Sequence, residues 1–274
     1  MNPLISVSEL SQLLGEDNII IFDARMGIEP DSIKVEGAQI INLDKDFASH
    51  PTDASRGGRH PLPPLEDFQK TLESNGANDT SHFIIYDSMG GANPAARLWW
   101  MLRAYGFTKV QVVNGGWKAL SSSTIPQTTE IKTPKKGKLS PSLKWQLPTA
   151  SIEDVEIQLA ENTAVVIDVR DSYRYKGESE PIDLVAGHIP GAINIPFSEN
   201  LDENGFFLPK ELLKKKYEML LKTFPEEKII HCGSGVTACH TLLAMDYIGM
   251  EIPKLYVGSW SEWSRRNKPI ATSV

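Results

Sequence analysis

One pattern occurs twice in this chain, and it limits the folds that the chain can adopt. The apolar run IIIF at 19–22 ends in Asp-Ala-Arg at 23–25, and the apolar run VVI at 165–167 ends in Asp-Val-Arg at 168–170. Corresponding positions in the two copies are 145 residues apart. Because this period is as long as a domain, it indicates a duplicated unit rather than a solenoid of short repeats.

The same spacing relates other parts of the two halves. An apolar run at 83–86 is followed by Asp87, and a run at 228–231 is followed by Cys232. Each run leads into a helical segment, then into a short strand and a turn that contains Gly and Trp. Continuous apolar runs that alternate with helices are typical of parallel sheets buried on both faces. We therefore predict an α/β fold with two similar domains, each a parallel sheet flanked by helices.

A segment between the halves differs from both in composition. Residues 121–147 are rich in Ser, Thr, Pro and Lys, which is typical of an extended linker. We therefore predict an N-terminal domain at 1–125, a linker at 126–146 and a C-terminal domain at 147–274.

Composition excludes several classes of protein. The net charge is −7 and the sequence pI is near 5.5, so a nucleic-acid-binding face is not expected. No apolar run is long enough to span a bilayer, and the start lacks the features of a signal peptide. Histidines 50, 82 and 240 show no ligand-like spacing, so neither a metal site nor a cofactor is expected. Two cysteines do not make a disulfide framework, which predicts a cytoplasmic protein in a reducing compartment.

Cys232 is the residue to which the sequence assigns the chemistry. It follows a short strand at 228–230 and begins a Gly-rich loop that runs into a helix at Ala238. Loop N–H groups and the positive end of a helix favour a thiolate, which is the nucleophilic form of cysteine. Cys239, among apolar residues of the helix, is expected to be a packing residue. The residues expected to hold an anionic sulfur are Gly233, Ser234, Gly235, Val236 and Thr237.

The loop argues against phosphate chemistry. Cys-dependent phosphatases place an Arg six residues after the nucleophile, where it clamps phosphate with a planar fork. In this chain that position is Ala238, and nothing cationic lies between Cys232 and the helix. A phosphate dianion would find amides and hydroxyls but no counter-charge from the loop, so a phosphatase is disfavoured.

The loop Cys-Gly-Ser-Gly-Val-Thr-Ala at 232–238 resembles the active-site loop of mercaptopyruvate sulfurtransferases, within the rhodanese superfamily. With the duplication, the resemblance covers nearly the whole chain and implies two rhodanese-like domains in tandem. It implies that Cys232 takes sulfur from a small anionic donor and holds it as a persulfide. The acceptor would be cyanide, a small thiol or a thioredoxin-like protein.

The two halves are not equivalent in this resemblance. Asp87 stands where the second half has Cys232, and the loop at 87–94 lacks the sequence pattern of the Cys loop. A carboxylate cannot carry sulfur and repels an anionic substrate. The N-terminal domain is therefore predicted to be catalytically inactive.

Substrate binding is expected from the second half. The stretch at 174–177 resembles the Arg-Phe-x-Gly stretch of the family, whose Arg binds the substrate carboxylate, so the resemblance assigns that role to Arg174. A guanidinium offers a bidentate match to a carboxylate. The family usually carries a second Arg in a Glu-Pro-Arg-Asp stretch, but this chain has Ile182 there. A bound α-keto acid would then lose a charged hydrogen bond, a loss of about 1.5–3 kcal/mol.

Two segments of the first half resemble family segments that bring an Asp and a His into the active site. They are Ile-Asn-Leu-Asp at 41–44 and Arg-His-Pro-Leu-Pro at 59–63. The resemblance implies that Asp44 and His60, together with Ser234, form a relay that shuttles protons during transfer.

Two alternatives to a mercaptopyruvate enzyme stay open. Members of the family that use thiosulfate tend to carry basic residues in the loop, so the uncharged loop favours 3-mercaptopyruvate, whereas the loss of the second Arg weakens that preference. A thiosulfate:cyanide sulfurtransferase is therefore the first alternative. A persulfide carrier, loaded by a partner enzyme and without turnover of small donors, is the second.

Overall fold

The computed structural model describes residues 1–273, which divide into two units that each include a short piece from the other half of the sequence. The N-terminal unit comprises Met1–Ser49, Pro63–Gln146 and Glu203–Phe207. The C-terminal unit comprises His50–Leu62, Leu147–Asp202 and the chain from Leu208 to the end of the described residues. Val274, the last residue of the predicted C-terminal domain, lies outside the described residues. No helix of the described chain has the length and apolar character needed to cross a membrane.

The N-terminal unit contains a five-stranded parallel sheet with the strand order β1-β6-β5-β2-β4. A separate antiparallel pair is formed by β3 and β7. The strands are β1 (Leu4–Ile5), β2 (Ile19–Asp23), β3 (Lys34–Val35), β4 (Gln39–Ile40), β5 (His82–Tyr86), β6 (Val110–Val113) and β7 (Gln127–Thr128). The helices are α1 (Val7–Leu13), α2 (Leu43–Asp46), α3 (Leu65–Ser74), α4 (Pro94–Tyr105) and α5 (Gly116–Ser121).

The C-terminal unit repeats this sheet with the order β8-β12-β11-β9-β10, again with all strands parallel. The strands are β8 (Thr149–Ala150), β9 (Ala164–Asp168), β10 (Ile193–Asn194), β11 (Glu227–His231) and β12 (Lys254–Tyr256). The helices are α6 (Ile152–Glu161), α7 (Ser172–Lys176), α8 (Lys210–Leu221), α9 (Ala238–Tyr247) and α10 (Ser259–Trp263), with a 3-10 helix at Phe197–Asn200. The prediction of two similar α/β domains is therefore confirmed.

Matched sequence features place matched elements in the two units. Ser6 and Ser151 each begin a helix with a capping box, in which the Ser side chain and an acidic side chain three residues later exchange hydrogen bonds with the backbone. The central strands β5 and β11 end immediately before Asp87 and Cys232. Both residues therefore lie at the carboxyl edge of a parallel sheet, where α/β folds place their ligand sites.

The aspartates and arginines that end the repeated runs form buried ion pairs. Arg25 contacts Asp23 at 2.7 Å, and Arg170 contacts Asp168 at 2.6 Å. Both carboxylates are fully buried, and a buried charge is tolerated only when it is paired and hydrogen-bonded. The recurrence of this pair in both units indicates a structural role.

The segment predicted as a linker, 126–146, is extended but is anchored to the N-terminal unit. It contributes β7 to the antiparallel pair. Near its end, the Trp145 ring lies 5.6 Å from the Phe68 ring and 6.4 Å from the Trp100 ring, measured between centroids. Aromatic contacts of this kind restrict the segment far more than its composition suggests.

Candidate active site

The backbone at Cys232 is held by the turn that begins α10. The Cys232 N–H donates to Ser259 Oγ at 3.2 Å, and its carbonyl accepts from the Trp260 N–H at 3.1 Å. The Gly233 carbonyl accepts from the Ser261 N–H at 2.8 Å. Ser259 is fully buried and has φ of +54°, an uncommon conformation for a residue other than Gly. Cys232 itself is only 3% exposed, so its position is fixed by close packing.

The loop after Cys232 keeps several N–H groups available. Within residues 1–273, the N–H groups of Gly233, Ser234, Val236 and Thr237 have no hydrogen-bond acceptor. The loop is buried apart from the half-buried Thr237, which directly precedes α9. Buried N–H groups without acceptors are costly, and the start of a helix adds positive potential. Four of the five residues predicted to hold an anionic sulfur, here called the cradle, therefore offer hydrogen-bond donors to an anion.

The equivalent loop of the N-terminal unit shows what such a cradle binds. Asp87 Oδ1 accepts from the N–H groups of Met89 and Gly91, both at 2.8 Å. Its Oδ2 accepts from the N–H groups of Asn93 and Ala95, both at 3.2 Å. Burial raises the pKa of Asp87, against the lowering effect of these four N–H groups. The loop differs in sequence from the Cys loop, yet its N–H groups converge on the carboxyl group of its own first residue.

The side chains of Asp87 and Cys232 differ by one bond in the separation of their terminal atoms from Cα. The carboxylate oxygens of Asp87 are three bonds from its Cα, whereas the sulfur of Cys232 is two bonds from its Cα. An outer sulfur bonded to Cys232 would again be three bonds away. Ser234 and Val236, whose N–H groups lack acceptors, stand 145 residues after two of the donors to Asp87. The cradle beside Cys232 is therefore suited to the outer sulfur of a persulfide.

Ser234 and His60 are brought together, as the sequence predicted for two members of the relay. His60 Nδ1 lies 2.8 Å from Ser234 Oγ. His60 belongs to the 50–62 segment of the C-terminal unit, which is anchored by a hydrogen bond of 2.9 Å from the Gly57 N–H to Glu262 Oε1. Asp44 lies in the first turn of α2 in the N-terminal unit, and its part in a relay remains a prediction.

Arg174 lies beside the Cys232 loop and is tied to an acidic neighbour. Its Nε donates to both carboxylate oxygens of Glu180 at 3.1 Å, and its Nη2 donates to Oε1 at 2.7 Å. The same Nη2 would be 3.4 Å from a Cβ built on Gly233. Within the described chain, Arg174 Nη1 has no acceptor, so the guanidinium keeps donors for a substrate anion. Carboxylate binding by Arg174 remains a prediction.

Arg59, whose guanidinium lies next to the same loop, was not among the site residues predicted from the sequence. Its Nη2 would be 3.2 Å from a Cβ built on Gly233. Its Nε and Nη2 donate to Asp183 Oδ1 and Oδ2 at 3.1 and 3.3 Å. The Asp183 carboxylate is fully buried and also contacts Arg265 at 3.0 Å. The only local signal was that Arg59 precedes His60, and no sequence pattern joins it to a carboxylate 124 residues away.

His231 faces the buried ion pair of the C-terminal unit. His231 Nε2 is 3.8 Å from Asp168 Oδ2, an oxygen that also contacts Arg170 at 2.6 Å. Burial lowers the pKa of His231, and Asp168 opposes this shift only in part. Burial alone would lower the pKa of Arg170, but Asp168, Glu180 and a negative charge on Cys232 raise it. Arg170 therefore stays charged beside the buried Asp168 carboxylate.

Buried His231 should make stability depend on pH. The pKa of His231 is lower in the folded than in the unfolded chain, so its contribution is complete above the unfolded value of about 6.5 and is lost as the pH falls below it. We expect the free energy of unfolding in urea to fall between about pH 7.5 and about pH 5.5, and to fall less in His231→Phe. His50→Gln, at an exposed position, is the control. An equal pH slope in wild type and His231→Phe would contradict this prediction.

Cys239 occupies the packing position that the sequence predicted. It is fully buried in α9, and its Sγ lies 3.4 Å from the Gly235 carbonyl oxygen. A buried thiol without a cradle behaves as a small apolar side chain.

Both units match one family of domains. The model of the Rhodanese-like domain matches residues 6–123 and 151–266, which together make up most of the chain. The chain belongs to the rhodanese family. Each match contains four of the five strands of one sheet of this rhodanese, and the two matches confirm the predicted duplication.

Named relatives of this rhodanese cover nearly its whole length. It is 34% identical over 282 residues to a Pseudomonas aeruginosa protein named a probable 3-mercaptopyruvate sulfurtransferase, with 98% of each chain covered. It is 32% identical over 269 residues to a Mycobacterium tuberculosis protein provisionally named a thiosulfate sulfurtransferase, with 95% of this chain and 93% of that protein covered. A crystal structure described as a 3-mercaptopyruvate sulfotransferase of Escherichia coli is similar with a TM-score of 0.80 and 29% identity, covering 96% of this chain and 100% of that chain. The prediction of a sulfurtransferase is confirmed.

Proposed function

We propose that this rhodanese transfers the sulfur of 3-mercaptopyruvate to a thiol or to cyanide through a persulfide on Cys232. The observation that carries the proposal is the cradle of N–H groups beside Cys232, whose counterpart holds the Asp87 carboxylate with four hydrogen bonds. Donors fixed in advance stabilise a charge without reorganisation. In this proposal the N-terminal unit is inactive, because Asp87 fills its own cradle and supplies no thiol.

Transfer takes place in two half-reactions. The Cys232 thiolate attacks the donor sulfur, so that an S–S bond forms and the C–S bond of mercaptopyruvate breaks. The electron pair of that bond passes to the carbon, and the leaving enolate takes one proton to become pyruvate. An acceptor thiolate or cyanide then attacks the outer sulfur, and the Cys232 thiolate is regenerated. No external oxidant or reductant is consumed.

We assign proton delivery to Ser234 and His60. Their contact of 2.8 Å joins a hydroxyl, which donates and accepts, to an imidazole that exchanges protons near neutral pH. In the proposal the Ser234 hydroxyl protonates the enolate carbon and His60 restores the hydroxyl proton. The sequence resemblance adds Asp44 to this relay, and we include it in the proposal on that ground.

The charge around the loop favours a donor with one carboxylate. The ion pairs there form a group, the arginine cluster, that contains four arginines and three carboxylates and thus has one positive charge in excess. The Cys232 thiolate offsets that excess, so a donor with one negative charge meets less repulsion than thiosulfate, which carries two charges in a smaller volume. Thiosulfate remains the alternative donor. The cluster comprises Arg59, Arg170, Arg174, Arg265, Asp168, Glu180 and Asp183.

The acceptor and compartment follow from the thiol chemistry. Neither Cys232 nor Cys239 forms a disulfide within the described residues, and the cycle requires Cys232 to return to the thiolate. We therefore propose a reducing compartment, the cytoplasm, where a small thiol or a thioredoxin-like protein would accept the sulfur.

Initial rates with 3-mercaptopyruvate and with thiosulfate, each with cyanide as acceptor, test this proposal. We expect faster turnover with 3-mercaptopyruvate, because its single negative charge meets less repulsion beside the Cys232 thiolate than the two charges of thiosulfate. Without acceptor, the intact mass should rise by one sulfur atom. Equal or faster turnover with thiosulfate would overturn the choice of donor. Loading by a partner enzyme with no turnover of either small donor would identify a persulfide carrier instead.

A further inference from the structure

The substrate carboxylate site of this chain lacks the second of the two arginines that the family pattern carries. Ile182 stands where the second Arg is expected, and its side chain is 55% exposed. We propose that Arg59, from the 50–62 segment, is the second residue that binds the donor carboxylate, beside Arg174; this inference rests on the proposed function.

Two guanidinium groups flank the residue that follows the nucleophile. The nearest atoms to a Cβ built on Gly233 are Arg59 Nη2 at 3.2 Å, Arg174 Nη2 at 3.4 Å and Asp183 Oδ2 at 3.5 Å. The carboxyl carbon of 3-mercaptopyruvate is three bonds from its sulfur. A donor with its sulfur at Cys232 therefore has its carboxylate within reach of this pair of guanidinium groups.

Each of the two guanidinium groups keeps a donor for a ligand. Arg59 uses Nε and Nη2 on Asp183, and Arg174 uses Nε and Nη2 on Glu180. In the part of the chain that the structure describes, neither Nη1 has an acceptor. A carboxylate has two oxygens, and charge-assisted hydrogen bonds from two guanidinium groups would satisfy both.

Asp183 is the positioning residue of this site. Its buried carboxylate contacts Arg59 at 3.1 Å, Arg174 at 3.5 Å and Arg265 at 3.0 Å. Glu180 also pairs with Arg174, so Asp183 and Glu180 together leave the guanidinium groups of Arg59, Arg174 and Arg265 with one positive charge in excess. The side chains of Arg59 and Arg174 are 27% and 10% exposed, which leaves Arg59 the more accessible of the two.

Arg59→Met removes this guanidinium and retains an apolar side chain of similar length. We expect the half-saturating concentration of 3-mercaptopyruvate in single-turnover sulfur loading to rise by about 10- to 100-fold, the loss of one charged hydrogen bond. Competitive inhibition by pyruvate should weaken in parallel. Discharge of the preformed persulfide to cyanide should keep its wild-type rate, because that step involves no carboxylate.

Arg265→Met is the matched control for the loss of an ion pair at Asp183. It removes a contact of 3.0 Å to the same carboxylate, but Arg265 is not among the nearest groups to Gly233. Thermal melts of both variants show how much each loss affects folding. Arg59→Lys keeps the positive charge but loses the planar arrangement of N–H donors. Its half-saturating concentration of 3-mercaptopyruvate should therefore lie between those of wild type and Arg59→Met. Adding Ile182→Arg to Arg59→Met should recover part of the affinity.

The possible results separate this inference from the proposed function. Weaker loading of Arg59→Met alone, with normal discharge, supports the assignment. If the half-saturating concentration of 3-mercaptopyruvate is unchanged in Arg59→Met, or rises equally in Arg265→Met, the assignment of Arg59 is overturned. Mercaptopyruvate would remain the donor of the wild-type protein in that case. If the wild-type protein gains no sulfur from 3-mercaptopyruvate, the proposed function fails and the assignment fails with it.

Discussion

Cys232→Ser should give a folded protein that has lost sulfur transfer by at least about 1,000-fold, or about 4 kcal/mol in activation free energy. A Ser hydroxyl is not ionised at neutral pH, and it cannot form the persulfide on which both half-reactions depend. The exchange of sulfur for oxygen keeps the backbone bonds that Cys232 makes to Ser259 and Trp260, so the fold should survive. Initial rates with both donors, together with a thermal melt, measure the two properties separately.

Cys239→Ser is the matched control, because both cysteines are buried and lie seven residues apart. A Ser hydroxyl can donate to the Gly235 carbonyl, which lies 3.4 Å from the Cys239 sulfur. Cys239→Ser should therefore keep its activity, and its intact mass should still rise by one sulfur atom after incubation with 3-mercaptopyruvate. If Cys232→Ser gained the sulfur instead, the persulfide would belong to Cys239 and the assigned nucleophile would be wrong.

The features that the sequence predicted well are those set by local pattern. Apolar runs at 19–22 and 165–167 have the length of strands rather than of helices, and a sheet covered on both faces removes them from water. Their duplication fixes two sheets with one strand order. A Cys that directly follows the central strand β11 and precedes α9 then has one place to lie, the carboxyl edge of the sheet.

The features that the sequence could not predict depend on contacts between distant residues. The sequence predicted domains that are continuous in the chain, with boundaries at 125 and 147. In the structure, the 50–62 segment belongs to the C-terminal unit and the 203–207 segment belongs to the N-terminal unit. Arg59 is part of the first of these segments, so its contact with Asp183 follows from tertiary packing alone. The uncharged Cys loop consequently gave no indication of the guanidinium group that Arg59 brings beside Gly233.

Asp87 illustrates a second limit. The sequence identified it as a residue that cannot carry sulfur, which is a matter of chemistry. Its binding by four N–H groups depends on backbone angles, including φ of +67° at Gly90 and +82° at Gly91. Glycines permit such angles but do not specify them. The similarity between the bound Asp87 carboxyl group and a persulfide is therefore visible only in the three-dimensional structure.

Gly235→Ala should reduce turnover by displacing the backbone of the Cys232 loop. Gly235 has φ of +71°, and an added Cβ would lie 2.5 Å from the Val257 carbonyl oxygen and 3.0 Å from the Val257 Cα. The conformation alone costs about 1–2 kcal/mol for a residue with a Cβ. The contact costs more, because the opposing atoms are backbone and cannot rotate away. The loop should shift, and a displacement of about 1 Å in a positioned group can reduce turnover by about 100-fold.

Gly249→Ala is the control that separates the cost of backbone strain from the effect of displacing the Cys232 loop. Gly249 follows α9 with φ of +82°, but an added Cβ there would meet no atom within 4 Å. It should lose about 1–2 kcal/mol of unfolding free energy and keep wild-type turnover. Gly235→Ala should lose more stability and also turnover, because Ser234 and Val236 donate from the same loop. Urea unfolding and initial rates measure both effects, and full turnover in Gly235→Ala would mean that sulfur transfer does not need this arrangement of N–H groups.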